Sequence, residues 1–82
     1  MFEEFNNILD EDIYITVSKN IKRYRIKRNM TQKELADKCL FSHEFIRQIE
    51  SKKGKKNFSL GTVKIIANAL DIPITSLFEI VL

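Results

Sequence analysis

Turn-forming residues are scarce in this sequence, which has two glycines and one proline among its 82 residues. A sheet of many short strands needs frequent turns, and glycine and proline provide many of the backbone angles that turns require. The scarcity therefore favours helices. We predict an all-α protein, and a chain of this length has room for a single domain with a small core.

Cysteine and long apolar runs are also rare or missing. The one cysteine, Cys39, excludes an internal disulfide and any multi-cysteine metal site, and it fits a reducing compartment. No stretch approaches the ~20 apolar residues that cross a bilayer, and the start of the chain, Met1-Phe2-Glu3-Glu4, is unlike a signal peptide. We therefore expect a soluble cytoplasmic protein with no membrane partner.

Catalytic motifs are lacking as well. The chain has one histidine, no glycine-rich phosphate loop and no carboxylate pair placed for acid–base chemistry. The sequence thus argues against an enzyme and predicts neither a metal nor a cofactor.

Positive charge is in modest excess, with 14 Lys and Arg against 11 Asp and Glu and a formal net charge of +3. Four lysines lie close together, at Lys52, Lys53, Lys55 and Lys56. Such a run is typical of a solvated loop, but it also suits a polyanionic partner.

Apolar residues at helical spacing predict five helices. The first starts at Ile15, carries Val17, Ile21 and Tyr24 on one side, and ends near Asn29, a residue type that tolerates the left-handed conformation at a helix end. Residues 1–14 form either a loose arm or a short amphipathic helix, and residues 15–82 form one domain.

Two short helices joined by a tight turn come next. Thr31 and Glu34 are spaced as a capping box for the second helix, and Ser42 is a good N-cap for the third. The predicted inward residues of the two helices are Leu35, Ala36, Cys39, Ile46 and Ile49.

The last two helices follow the lysine run. Ser59 caps the fourth, and Pro73 opens the fifth because proline suits a first helical turn. The predicted inward residues of the fourth are Leu60, Val63, Ile66, Ala67 and Leu70, and the fifth carries Ile74, Leu77, Phe78 and Val81.

The whole pattern closely resembles the phage repressor and Cro-type helix-turn-helix family, also called XRE, from about Val17 to Glu79. The matching residues are Thr31, Gln32, Glu34, Leu35, Ala36, Ser42, Ile46, Ile49, Glu50, Ser59, Leu60, Thr62, Ala67, Ala69, Leu70, Leu77 and Phe78. The resemblance implies a five-helix repressor-like domain that binds double-stranded DNA and regulates transcription.

The resemblance also implies a division of the DNA contacts. Thr31 and Gln32 meet a phosphate, unless both serve only as helix caps, and Ser42 combines capping with phosphate contact. Residues that reach base edges are His43, Glu44, Arg47 and Gln48. His43 could instead face solvent or phosphate, and Glu44 could act only as an acid at a helix N-terminus.

Three further expectations follow from matching positions. In the family, the loop after the third helix follows the phosphate backbone of the DNA. The resemblance therefore implies phosphate contacts at Lys52, Lys53, Lys55 and Lys56. Arg25 and Glu50 match a structural pair between the first and third helices. Leu40 stands where most members have glycine, so the turn is strained or has another shape.

The apolar C-terminus predicts a dimer. Its interface residues are Ile74, Leu77, Phe78, Ile80, Val81 and Leu82, unless all pack within one monomer. A two-fold dimer would read a near-palindromic operator. A small-molecule ligand is not expected, because the chain leaves little room beyond the fifth helix. The alternative function is a protein-interaction module, a co-regulator or antitoxin, that uses the same fold without reading DNA.

Overall fold

The computed structural model describes residues 12–51 and 57–80. Within these ranges the chain forms no strand, so the prediction of an all-α protein is confirmed. The elements are α1 (Ile13–Lys27), α2 (Gln32–Cys39), α3 (His43–Glu50), α4 (Leu60–Ala69) and a 3-10 helix (Ile74–Phe78). The fifth predicted helix is therefore a short 3-10 helix rather than an α-helix.

Side-chain caps set the starts of the α-helices. Asp12 accepts a hydrogen bond from the Tyr14 backbone N–H at 2.8 Å, so α1 begins at Ile13, two residues earlier than predicted. The predicted caps of α2, α3 and α4 are confirmed, because Thr31, Ser42 and Ser59 each accept from the backbone N–H three residues on.

Three helix ends are closed by residues other than glycine. Asn29, Leu40 and Asp71 have φ angles of 56°, 59° and 57°, in the left-handed region. Asparagine and aspartate tolerate this conformation, whereas a leucine there is strained by on the order of 1 kcal/mol. Asn29 is confirmed as a left-handed residue, and the turn at Leu40 is strained.

The core lies where α1, α2, α3, α4 and the 3-10 helix meet. Its buried apolar residues are Val17, Ile21, Leu35, Ala36, Cys39, Ile46, Ile49, Val63, Ile66, Ala67, Leu70 and Leu77. Burying each large aliphatic side chain contributes about 1.5–3 kcal/mol. Leu60 was predicted to face inward and is 71% exposed, because it is the first residue of α4 and lies at the edge of the core.

Cys39 is part of this core. Burial raises the pKa of its thiol to about 11, because the apolar surroundings disfavour the thiolate. It is a free cysteine, since the chain has no second cysteine with which it could pair.

The C-terminal segment is anchored on α1. The buried Asn20 side chain donates hydrogen bonds to the carbonyls of Leu77 at 2.9 Å and Glu79 at 2.7 Å. Leu77 is 0% exposed in the monomer, which corrects its assignment to a dimer interface: its side chain is already covered by the core. Ile80 is 44% exposed, and Val81 and Leu82 lie outside the described residues.

No helix in residues 12–51 and 57–80 is long and apolar enough to cross a membrane.

Candidate nucleic-acid interface

Helices α2 and α3 form a helix-turn-helix joined by Leu40, Phe41 and Ser42. The Phe41 N–H donates to the Ala36 carbonyl at 2.9 Å, which holds the turn against α2. Ala36 itself is 1% exposed, and its small side chain permits the close crossing that the two helices make.

Helix α3 has two distinct faces. Ile46 and Ile49 are buried in the core, while His43, Glu44 and Arg47 are exposed. Gln48 is half-buried on the same helix. An exposed polar face on a helix backed by a rigid core is what the ~12 Å major groove of DNA can admit.

Phe45, at the side of α3, packs inward. Its ring meets that of Phe41 edge to face, with centroids 5.0 Å apart, and both rings lie against the core. Because Phe41 lies in the turn and Phe45 in α3, this contact links the turn to the helix.

Three of the predicted base-reading residues are joined to each other. The Glu44 carboxylate accepts from Arg47 Nε at 2.8 Å and from Arg47 Nη2, and it also accepts from Gln48 Nε2 at 3.2 Å. The hydrogen bond from Arg47 lowers the pKa of Glu44 to about 2, and the same bond raises the pKa of Arg47. We call Glu44, Arg47 and Gln48 the reading cluster.

A buried ion pair holds α1 to the end of α3. Arg25 Nε and Nη2 donate to Glu50 Oε2 and Oε1 at 2.7 and 2.9 Å, with side-chain exposures of 10% and 2%. Arg25 Nη1 also donates to the Met30 carbonyl at 2.8 Å. Nearby, the Ser18 hydroxyl donates to the Ile49 carbonyl at 2.6 Å. The structural role expected of Arg25 and Glu50 is confirmed.

Gln32 connects this ion pair to the start of α3. Its Nε2 donates to Glu50 Oε1 at 3.1 Å, and its Oε1 lies 3.3 Å from His43 Nε2. Sequence reasoning treated Gln32 as a cap or a phosphate contact and missed both links, because they join residues 18 and 11 positions apart.

Thr31 and Ser42 use their hydroxyls as caps. The Thr31 hydroxyl accepts from the Glu34 N–H at 3.0 Å while Glu34 accepts from the Thr31 N–H at 2.8 Å, which completes the capping box. The bond from the Thr31 N–H lowers the pKa of Glu34. The Ser42 hydroxyl accepts from the Phe45 N–H at 3.1 Å.

The predicted DNA-contacting residues thus come together where they are described. Gln32 meets His43, Ser42 precedes His43, and the reading cluster continues along α3. Lys52, Lys53, Lys55 and Lys56 lie outside the described residues. Within residues 12–51 and 57–80, no group of three or more His, Cys, Asp or Glu side chains could hold a metal ion.

Known proteins similar to the chain share this architecture. The profile of the helix-turn-helix family matches residues 21–77. The immunity repressor protein of Bacillus phage phi105 is 35% identical over 63 residues, which cover 77% of this chain and 42% of the repressor. The chain therefore spans less than half the length of this curated relative.

Several solved structures have a fold similar to that of this chain. A hypothetical transcription factor from Neisseria, NHTF, superposes with a TM-score of 0.76 at 22% identity, covering 83% of this chain and 76% of NHTF. The restriction-modification controller protein C.AhdI from Aeromonas hydrophila superposes with a TM-score of 0.72 at 25% identity over 79% of this chain and 96% of the controller. The wild-type restriction-modification controller protein C.Esp1396I superposes with a TM-score of 0.73 at 28% identity, covering 84% of this chain and 87% of the controller.

The family and these relatives are transcription regulators rather than enzymes. Because the family profile matches more than half of the chain, the resemblance to phage repressors is confirmed. The chain belongs to the phage repressor-like, XRE-type helix-turn-helix family of DNA-binding transcription regulators.

Proposed function

We propose that the chain binds a near-palindromic double-stranded DNA operator as a homodimer and regulates transcription from it. The observation that carries the proposal is the exposed polar face of α3, held over buried Ile46 and Ile49 and fixed to α1 by the Arg25–Glu50 pair. A rigid helix with long polar side chains at its surface is suited to reading base edges in a major groove.

The base contacts follow from the chemistry of α3. Arg47 can donate two hydrogen bonds to O6 and N7 of guanine, and Gln48 can pair with N6 and N7 of adenine. His43 starts the helix beside Gln32 and faces the same groove or its rim. Each good bidentate contact discriminates against a wrong base by about 1–3 kcal/mol.

Phosphate contacts flank the base readers. The first backbone N–H groups of a helix have no acceptor within the helix, so the N-termini of α2 and α3, at Thr31 and Ser42, suit the negatively charged backbone. Gln32 lies there, with its amide oriented by Glu50. The lysines Lys52, Lys53, Lys55 and Lys56 follow α3 directly and complete the phosphate contacts.

The dimer interface is proposed at the C-terminal segment. Ile80 is exposed, Ile74 and Phe78 are half-buried, and Val81 and Leu82 follow in the sequence. A second copy would cover these side chains and place two α3 helices ~34 Å apart on one face of the DNA. Light scattering at micromolar concentration tests this part, and a monomer would contradict it.

Selection of bound sequences from a random DNA pool tests the whole proposal. The selected sequences should contain two similar half-sites in inverted orientation. Arg47→Ala and Gln48→Ala should each relax the preference at a base pair, whereas Lys64→Ala, which removes an exposed charge from α4, should leave the preferences unchanged. No binding at low salt would exclude DNA reading and favour a protein-interaction module.

A further inference from the structure

Glu44 is the common partner of the two residues proposed to read bases. Its Oε2 accepts from Arg47 Nε at 2.8 Å, and its Oε1 accepts from both Arg47 Nη2 and Gln48 Nε2. These bonds all run along the exposed face of α3. Such an exposed ion pair contributes little to stability, so its consequence lies in orientation and charge.

The pairing occupies one of the two donor edges of the Arg47 guanidinium. Nε and Nη2 form the side edge, and that edge is bound to Glu44. The end edge, with one N–H on each of Nη1 and Nη2, is not used by the carboxylate. Two parallel N–H groups on this edge match the O6 and N7 acceptors of guanine.

Gln48 is the second proposed base-reading residue that Glu44 contacts. Its bond to Glu44 uses one N–H of the side-chain amide. An amide has a second N–H and a carbonyl oxygen, and these two groups form the bidentate contact with adenine. Glu44 can therefore hold both side chains without using the atoms that meet the bases.

We propose that Glu44 is a positioning residue for DNA specificity, which orients Arg47 and Gln48 toward base edges and withholds the charge of Arg47 from the phosphate backbone. The inference rests on the proposed function, because it concerns how the same face of α3 discriminates between sequences.

The test compares Glu44→Gln with a matched control, Asp37→Asn. Both remove one negative charge and keep the side-chain shape. Asp37 pairs with Lys33 at 3.3 Å in an exposed i,i+4 contact within α2, and neither residue belongs to the reading cluster. Binding to the selected operator and to its single-base variants is measured by fluorescence anisotropy at several salt concentrations, with circular dichroism as a check that each variant is folded.

Glu44→Gln should lower discrimination at the base pair read by Arg47 by about tenfold, a part of the roughly 5- to 150-fold that a whole bidentate contact provides. It should also steepen the dependence of affinity on salt by about 0.9 in slope, since a released Arg47 can neutralise one more phosphate. Asp37→Asn should change neither quantity.

A double-mutant cycle separates positioning from direct reading. If Glu44 acts through Arg47, adding Glu44→Gln to Arg47→Ala should cause no further loss at that base pair. Additive losses, or a loss confined to a base pair that neither Arg47 nor Gln48 reads, would show that Glu44 reads a base itself and would overturn the inference. Unchanged discrimination in Glu44→Gln would overturn it too, while leaving the proposed function intact. If the wild-type protein selects no sequence, the proposed function fails and the inference fails with it.

Discussion

Leu40 combines two properties that a leucine rarely has together. It lies in the left-handed region at φ 59° and ψ 33°, and the residue is 93% exposed. The backbone conformation is costly for a side chain with a Cβ, and the exposed side chain gains little from packing. The residue therefore lowers the stability of the turn that sets the angle of α3.

We expect Leu40→Gly to raise the free energy of unfolding by about 0.5–1 kcal/mol, because glycine removes the steric strain and gives back part of the gain as chain entropy. Urea denaturation followed by circular dichroism measures the change. Leu60→Gly is the control, since Leu60 is also exposed but lies in the first turn of α4, where glycine should be destabilising. A loss of stability in both variants would contradict the explanation.

The Arg25–Glu50 pair is the second feature at the scale of single residues. Its two hydrogen bonds are buried, so removing one partner leaves an uncompensated charge in the core. We expect Arg25→Ala and Glu50→Ala each to cost about 3–5 kcal/mol. The double variant should cost less than the sum, as measured by denaturation. Single variants within about 1 kcal/mol of the wild type would contradict this expected contribution to stability.

At the scale of elements, the start of α3 depends on one hydroxyl. Ser42→Ala removes the acceptor of the Phe45 N–H and should lower stability by about 1 kcal/mol. Ser42→Asp restores an N-cap and should recover that loss, but its negative charge should weaken DNA binding if Ser42 meets a phosphate. Thermal denaturation and DNA titration of both variants measure the two effects. Equal DNA affinity in Ser42→Asp and the wild type would exclude the phosphate contact.

Most helices could be predicted from sequence because their signals are local. Thr31, Ser42 and Ser59 each stand directly before an apolar pattern of helical period, and each caps the helix that follows. Asn29 at the end of α1 is a signal of the same kind. Such caps and periods involve residues only a few positions apart, so an isolated segment already contains them.

The C-terminal element was less predictable. Five residues after Pro73 form a 3-10 helix, and a short apolar segment has the same pattern whether it forms this helix or one turn of α-helix. The position of Leu77 is held by a long-range contact, because the Asn20 side chain, 57 positions away, donates to the Leu77 carbonyl. Apolar spacing alone does not say whether such a residue is covered by its own core or by a partner.

The candidate site shows the same limit. The spacing of Glu44 and Arg47 at i,i+3 is a local signal that could have identified their pairing. The contact of Gln32 with Glu50 requires the fold to bring α2 and the end of α3 together. The sequence therefore predicted the Arg25–Glu50 pair but not the bond between Gln32 and Glu50.

At the scale of the whole molecule, acid should destabilise the fold. The pKa values of Glu34, Glu44 and Glu79 are lowered by hydrogen bonds from Thr31, Arg47 and Tyr24, respectively. The unfolded chain therefore binds more protons than the folded protein in this range, and the stability from these groups is present above their ordinary pKa of 4.5.

We expect the free energy of unfolding to fall as pH decreases below about 4.5 and to keep falling to about pH 2, where Glu44 titrates. Urea denaturation at a series of pH values measures this dependence. Glu44→Gln should show a smaller decrease over the same range. A free energy that stays constant from neutral pH down to about pH 3 would contradict the assignment of these hydrogen bonds.

The burial of Cys39 affects how fast the folded protein reacts with reagents that modify thiols. Burial raises the pKa of the Cys39 thiol to about 11, so at pH 7 the thiolate, which is the form that reacts, is much rarer than in an exposed cysteine. The folded protein should therefore resist oxidants and alkylating reagents, and its reaction with them should be limited by how often the core opens. As the one cysteine of the chain, Cys39 is a natural reporter of opening events in the helix-turn-helix itself.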